Sequence, residues 1–230
     1  MTLKRILRTK LKAMFILPFI SVAREKMLSL QNTYGRVGIR VEGYMGVLNP
    51  PGGIQNWDVA VCTMEKANGV VNRLIEEDLL NLIGVVVVDE LHTVCDPSRG
   101  YLLELLLTKM KFLSNSKTGI DLQIIGMSAT LPNIEILANW LDAELYVTKF
   151  RPVELNSYLG IGPKLHNKDM TVTKTLEPNL CLEQDTDNVI GFCIEVVQEG
   201  NGVLVFCQTK AWCEKLAENI ARAFSKVLLA

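Results

Sequence analysis

Val85-Val86-Val87-Val88-Asp89-Glu90-Leu91-His92 is the stretch on which the fold turns. Consecutive β-branched side chains leave no polar face, so the run reads as a strand buried on both sides, as in a parallel α/β sheet. The acidic pair leaves the carboxyl end of that strand, where open α/β sheets form their ligand crevice. One carboxylate there can hold magnesium through its water shell, and the other can orient a water for attack on a nucleoside triphosphate. Many buried strands end in an acidic turn that binds nothing. A second motif downstream, Ser128-Ala129-Thr130, favours the ligand reading.

Strand and helix alternate outward from this stretch. The pattern predicts strands over Ala13 to Leu17, Val37 to Val41, Asp58 to Cys62 and Leu122 to Met127. Helices are expected over Ser21 to Leu30, Glu65 to Glu77 and Tyr101 to Leu113, with Asn133 capping a short one that runs to Leu141. Asn49-Pro50-Pro51-Gly52-Gly53 must be a loop. Such alternation predicts a parallel sheet with helices on both faces. From Val147 onward the segments shorten: Glu154 to Tyr158 and Met170 to Thr175 read as ribbon. A helix over Asp187 to Glu199, a buried strand over Val203 to Cys207 and a last helix capped by Thr209 then follow. A domain boundary is therefore expected near residues 147 to 150, giving domains 1–147 and 148–230, the second cut off after one helix-strand-helix unit.

Composition narrows the classes. Hydrophobic residues make up 49% of 230, enough for a sizeable core and too many for a disordered chain. With a net charge of -1 there is no overall basic field, so any nucleic-acid binding must come from a local groove. Six cysteines stand singly, with no CxxC pair, and read as reduced core residues of an intracellular protein. Two distant histidines offer no zinc site. The basic start followed by Ala13 to Ile20 and Ser21-Val22-Ala23 has the outline of a secretory signal. Pro18 interrupts that apolar run, and Leu3, Ile6, Leu7 and Leu11 fall at the spacing of an amphipathic surface helix. No stretch reaches the roughly 18 apolar residues of a membrane span.

Taken in order, the segments resemble the superfamily 2 helicases. The resemblance is carried by FILPFISVAREK (15–26), VCTMEKANGVVNRLIEE (61–77), VVVVDELH (85–92), RGYLLELLLTK (99–109), GMSATLPN (126–133), FRPVEL (150–155) and VLVFCQTKAWCEKLAENIAR (203–222). VCTMEKANG and RGYLLELLLTK point to the polymerase-theta branch of that family over its helicase-only branch. The resemblance implies two RecA-like domains, the second truncated here. It also implies ATP and magnesium as cofactors, single-stranded DNA or DNA ends as partners, a role in double-strand break repair in the nucleus, and a polymerase domain elsewhere in the parent protein.

Residue roles follow from the same resemblance. Asp89 matches the magnesium-holding aspartate, Glu90 the residue that activates water, and His92 the link between nucleotide and strand; a histidine here serves equally well to tie the loop to itself. Ser128 and Thr130 match the motif that couples hydrolysis to movement, a role suited to hydroxyls, which change hydrogen-bond partners readily. Pro18, Phe19 and Ser21, then Thr63, Glu65 and Asn68, match two strand-helix junctions that touch the nucleic-acid backbone. Helix amino-termini bind phosphate without reading sequence, although plain capping explains the same residue types. Arg24, Lys66 and Arg73 could add charge, and Thr209 with Lys210 matches a second-domain motif facing the strand.

The family's GxxxxGK[ST] phosphate loop does not occur in these residues. In the family it precedes the helix that Leu3 to Lys12 resembles, and the closing arginines follow the segment that ends here. The chain is therefore expected to be an internal piece of a longer enzyme, inactive in isolation.

Overall fold

The computed structural model describes residues 1–115, 122–129, 131–148, 150–182 and 185–228. It divides into two compact units, Met1–Val147 and Thr148–Ala230.

In the first unit, α1 (Thr2–Thr9) leads into β1 (Lys12–Leu17), so the apolar stretch with the outline of a signal is the central strand of a sheet. The chain continues through α2 (Ile20–Tyr34), β2 (Val41–Tyr44), β3 (Val59–Thr63), α3 (Met64–Glu76) and β4 (Ile83–Val88). Then come α4 (Gly100–Asn115), β5 (Gln123–Gly126) and α5 (Ile134–Leu141). The strands form a parallel sheet in the order β2-β3-β1-β4-β5. This is the α/β, RecA-like architecture.

The two faces of the sheet are sorted by the two-residue period of a strand. Met14, Ile16, Ala60, Cys62, Val86 and Val88 face a core built with α3, α4 and α5. Ala13, Phe15, Leu17, Val59, Val61, Val85 and Val87 face the other core, closed by Ile6 of α1 and by Ala23, Met27 and Leu30 of α2. A strand that must satisfy both cores has no place for a polar side chain, which is why β4 reads as unbroken valine.

Several expectations change. The second strand starts at Val41, because Gly35–Val37 form a 3-10 turn and Gly38 (φ +75°) reverses the chain before it. Asn133 does stand at the start of α5, but left-handed (φ 61°) and without a side-chain cap bond; Ile136 N–H donates to its carbonyl instead. Only Cys62 and Cys193 are buried, whereas Cys95, Cys181 and Cys213 are exposed; all six are free thiols.

The second unit holds an antiparallel ribbon, β6 (Leu159–Ile161), β7 (Lys164–His166) and β8 (Val172–Thr175), then α6 (Val189–Gln198) and α7 (Lys210–Leu228). Glu154 to Tyr158, expected as strand, lies before the ribbon. Leu176, Leu180, Ile190, Ile194 and Ala223 form its core. Asp185 Oδ2 accepts Gly191 N–H at 2.9 Å and fixes the start of α6. Thr209 Oγ1 accepts Trp212 N–H at 3.2 Å and caps α7 as expected. Val203 to Cys207 is not a strand: Leu204 and Phe206 are exposed, and among the described residues no neighbour pairs with it. A buried parallel strand exists only where flanking strands take up its amides and carbonyls.

Leu103 of α4 is fully buried against the sheet. Leu103→Ala should lower stability by about 2–5 kcal/mol, read as a fall in the urea midpoint at unchanged slope.

Candidate functional site

Because β1, β3, β4 and β5 run parallel, their carboxyl ends share one edge of the sheet. Pro18 follows β1, Thr63 ends β3, Asp89 follows β4, and Ser128 lies just past β5. The expected residues of the first unit, scattered in sequence, are thus gathered on that edge by topology. Thr130 lies outside the described residues, and Thr209 belongs to the other unit.

The acidic turn is pinned from both sides. Asp89 N–H donates to Ile16 O of β1 at 2.9 Å, and Leu91 N–H donates to Met127 O at 2.8 Å. Met127 N–H in turn reaches Val88 O at 2.8 Å. Between these anchors Glu90 adopts a left-handed conformation (φ 52°, ψ 48°). That conformation costs a non-glycine residue roughly 1–2 kcal/mol. The cost is offset by Asp89 Oδ1, which accepts Glu90 N–H at 3.0 Å, and by Thr93 N–H, which donates to Glu90 O at 2.9 Å. Glu90 is exposed and Asp89 half-buried.

His92 stands between the two motifs. Its Nδ1 lies 3.4 Å from Glu90 Oε2 and 3.5 Å from Ser128 Oγ. Imidazole can give or take a proton at that nitrogen, so a change at either neighbour is felt by the other.

A second network serves the junctions. Arg99, next to the start of α4, donates through Nε and Nη2 to Glu65 Oε1 at 3.0 and 2.6 Å, and through Nη2 to Pro18 O at 2.7 Å. Its guanidinium carbon stands 5.8 Å from the centre of the Phe19 ring. Asp96 Oδ1 takes the amides of Ser98 (2.8 Å) and Arg99 (2.9 Å), holding Arg99 in place. Gly100 is obligatory here, since a Cβ would stand 2.1 Å from Val94 O. Ser21 is exposed in the first turn of α2. Asn68 faces inward: its Nδ2 donates to Leu102 O at 2.9 Å and ties α3 to α4. Sequence reasoning gave Arg99 no role of its own. Its signal was Asp96-Pro97-Ser98, a local turn of the kind that opens a helix.

Asp89 fits magnesium, which commonly takes one or two carboxylates together with substrate phosphates and water. Among the described residues no cluster of three His, Cys, Asp or Glu side chains offers an all-protein cage. For a triphosphate the fit is partial, because these residues include no glycine-rich loop to cradle it.

The family model for DEAD/DEAH box helicases matches residues 1–137. The chain belongs to that family. Among its relatives, DNA polymerase theta of Mus musculus is 49% identical over 232 residues, covering 96% of this chain and 9% of that protein. Helicase POLQ-like of Homo sapiens is 35% identical, over 99% of this chain and 21% of the relative. The ATP-dependent DNA helicase Hel308 of Methanocaldococcus jannaschii is 34% identical, over 88% and 16%. The chain thus spans a small part of each relative. No helix among the described residues is long and apolar enough to cross a membrane.

Partial burial pushes the Glu65 carboxyl up, but its own backbone amide, Arg99 and the Thr63 hydroxyl together hold it below the ordinary 4.5. A depressed carboxyl stabilises the fold above its unfolded value and loses that contribution as pH falls through the folded one. Wild type should therefore melt above Glu65→Gln at pH near 7, with the gap closing as pH drops below about 4.5 in a thermal-melt series.

Proposed function

We propose that this chain is part of an ATP-dependent DNA helicase motor of the polymerase-theta type, acting on single strands or DNA ends during double-strand break repair in the nucleus. The carrying observation is His92 Nδ1 placed between Glu90 Oε2 and Ser128 Oγ, beside Asp89. The names of the relatives, DNA polymerase theta and ATP-dependent DNA helicase, support the choice of ATP and DNA. A polymerase domain elsewhere in the parent protein belongs to the same reading.

In this reading magnesium-bound ATP supplies an activated γ-phosphoryl group. Asp89 would hold the cation through its water shell. Glu90 orients the attacking water, and its left-handed backbone sets the direction of its carboxylate. His92 passes the change at Glu90 to Ser128, whose hydroxyl can exchange partners, and Thr130 completes that step. The first turns of α2 and α3, with Pro18, Ser21 and Thr63, receive the strand through its phosphates; Asn68 braces α3 behind them. Thr209 is assigned to the same strand from the second domain.

The 230 residues as they stand are a poor ATPase, because no loop amides or lysine neutralise the triphosphate. The loss is on the order of a hundredfold or more. A colorimetric phosphate-release assay should show turnover at background; robust turnover abolished by Glu90→Gln would overturn this.

A second reading, a strand-binding module without motor activity, is favoured by the strand-facing junctions being present where the phosphate loop is not. Both readings expect salt-sensitive binding of a single-stranded oligonucleotide. In fluorescence anisotropy, the motor reading expects ATP to shift the affinity of a longer form of the protein that carries the phosphate loop, whereas the binding-module reading expects no shift. Matched DNA and RNA oligonucleotides decide the sugar, which backbone contacts alone do not read.

A further inference from the structure

Arg99 joins three pieces of chain that are far apart in sequence. Its side chain holds Glu65 of α3 and the Pro18 carbonyl before α2, while its ring neighbour Phe19 opens α2. Its backbone sits at the end of the turn that begins with Glu90. From Glu90, Thr93 N–H returns to Glu90 O, Asp96 N–H to Thr93 O, and Gly100 N–H to Asp96 O, at 2.8–3.0 Å. The turn from Glu90 to Gly100 is therefore a continuous hydrogen-bonded link between the acidic motif and Arg99.

Glu65 also needs explanation. A free carboxylate in the first turn of α3 would compete with an incoming phosphate for the same positive helix end and would repel it. Arg99 occupies that carboxylate with two donors. The arrangement makes Glu65 an anchor for Arg99 rather than itself a contact to phosphate.

We propose that Arg99 is a positioning residue for strand binding: by holding Glu65 and Pro18 O together, it fixes the first turns of α2 and α3 relative to each other and to the acidic turn. This rests on the strand-binding reading above. Bending any one of the three pieces then moves the others, because one guanidinium serves all of them.

The test uses the full 230-residue chain, an oligo(dT) strand in anisotropy titrations at several salt concentrations, and amide hydrogen exchange without strand. Arg99→Gln and Glu65→Gln should each weaken strand binding about tenfold, and the double variant should be no worse than either single one. The salt slope should stay as in wild type, and Arg99→Lys, which keeps the charge but not both bonds, should fall between. Exchange in the first turns of α2 and α3 should rise together in either single variant while that of β1 and β4 stays slow. Unchanged exchange in those turns overturns the inference whatever the strand data show. Raised exchange with unchanged affinity also overturns it and leaves strand binding standing. A salt slope reduced by about 0.7 makes Arg99 a direct phosphate contact instead. A wild-type chain that binds no strand overturns the strand-binding reading and this inference together. Because Glu65→Gln removes the same contact from the other side, failure of Arg99→Gln to fold leaves the experiment decisive.

Discussion

Everything at the working edge depends on β4 being buried on both faces and hydrogen-bonded on both sides. A strand in that position can tolerate no orphan amide or carbonyl, so its pairing with β1 and β5 runs on past its last residue. Asp89 N–H still meets Ile16 O, and Met127 N–H still meets Val88 O. The acidic turn therefore begins from a backbone that cannot shift without breaking the ladder. That rigidity lets Glu90 hold a left-handed conformation that a looser loop would relax.

The same constraint explains why chemistry gathers where it does. Parallel strands deliver all their carboxyl ends to one edge, and each delivers whatever residues follow it. After β1 and β3 these are helix amino-termini; after β4 and β5 they are carboxylates, an imidazole and a hydroxyl. The first pair suits phosphates of a strand and the second a cation and a water. Their proximity is a consequence of strand order, β3-β1-β4-β5, rather than of sequence spacing.

Much of this was legible beforehand because two periods dominate the first unit. Valine runs mark strands that serve two cores, and apolar residues such as Met64, Ala67, Val71 and Leu74 at helical spacing mark α3. What stayed hidden depended on partners. Val203 to Cys207 has the composition of a buried strand, but composition supplies no neighbour, and here the segment is exposed. Val37 to Val41 has strand propensity, and a glycine at positive φ outweighs it. Asn68 looks from its position like a strand contact, yet its Nδ2 donates to the Leu102 carbonyl on α4. Arg99 was passed over for the opposite reason: its partners, Pro18 and Glu65, are distant in sequence, and no periodicity reports such a contact.

Arg99 and His92 divide the edge between them. His92 spans β4 and β5 through weak, switchable contacts of 3.4 and 3.5 Å, whereas Arg99 spans β1 and β3 through charge-assisted bonds of 2.6 and 2.7 Å. Short ionic bonds resist displacement, and long contacts to a titratable ring do not. An edge that must respond at one side and hold its shape at the other needs both kinds. The two sides share the turn from Glu90 to Gly100, so a rearrangement at the acidic pair has only a hydrogen-bonded segment to cross before it reaches the junctions. The contacts of His92 lie beside the acidic pair, while those of Arg99 are complete within these residues. It follows that the geometry of the two junctions rests on protein contacts alone.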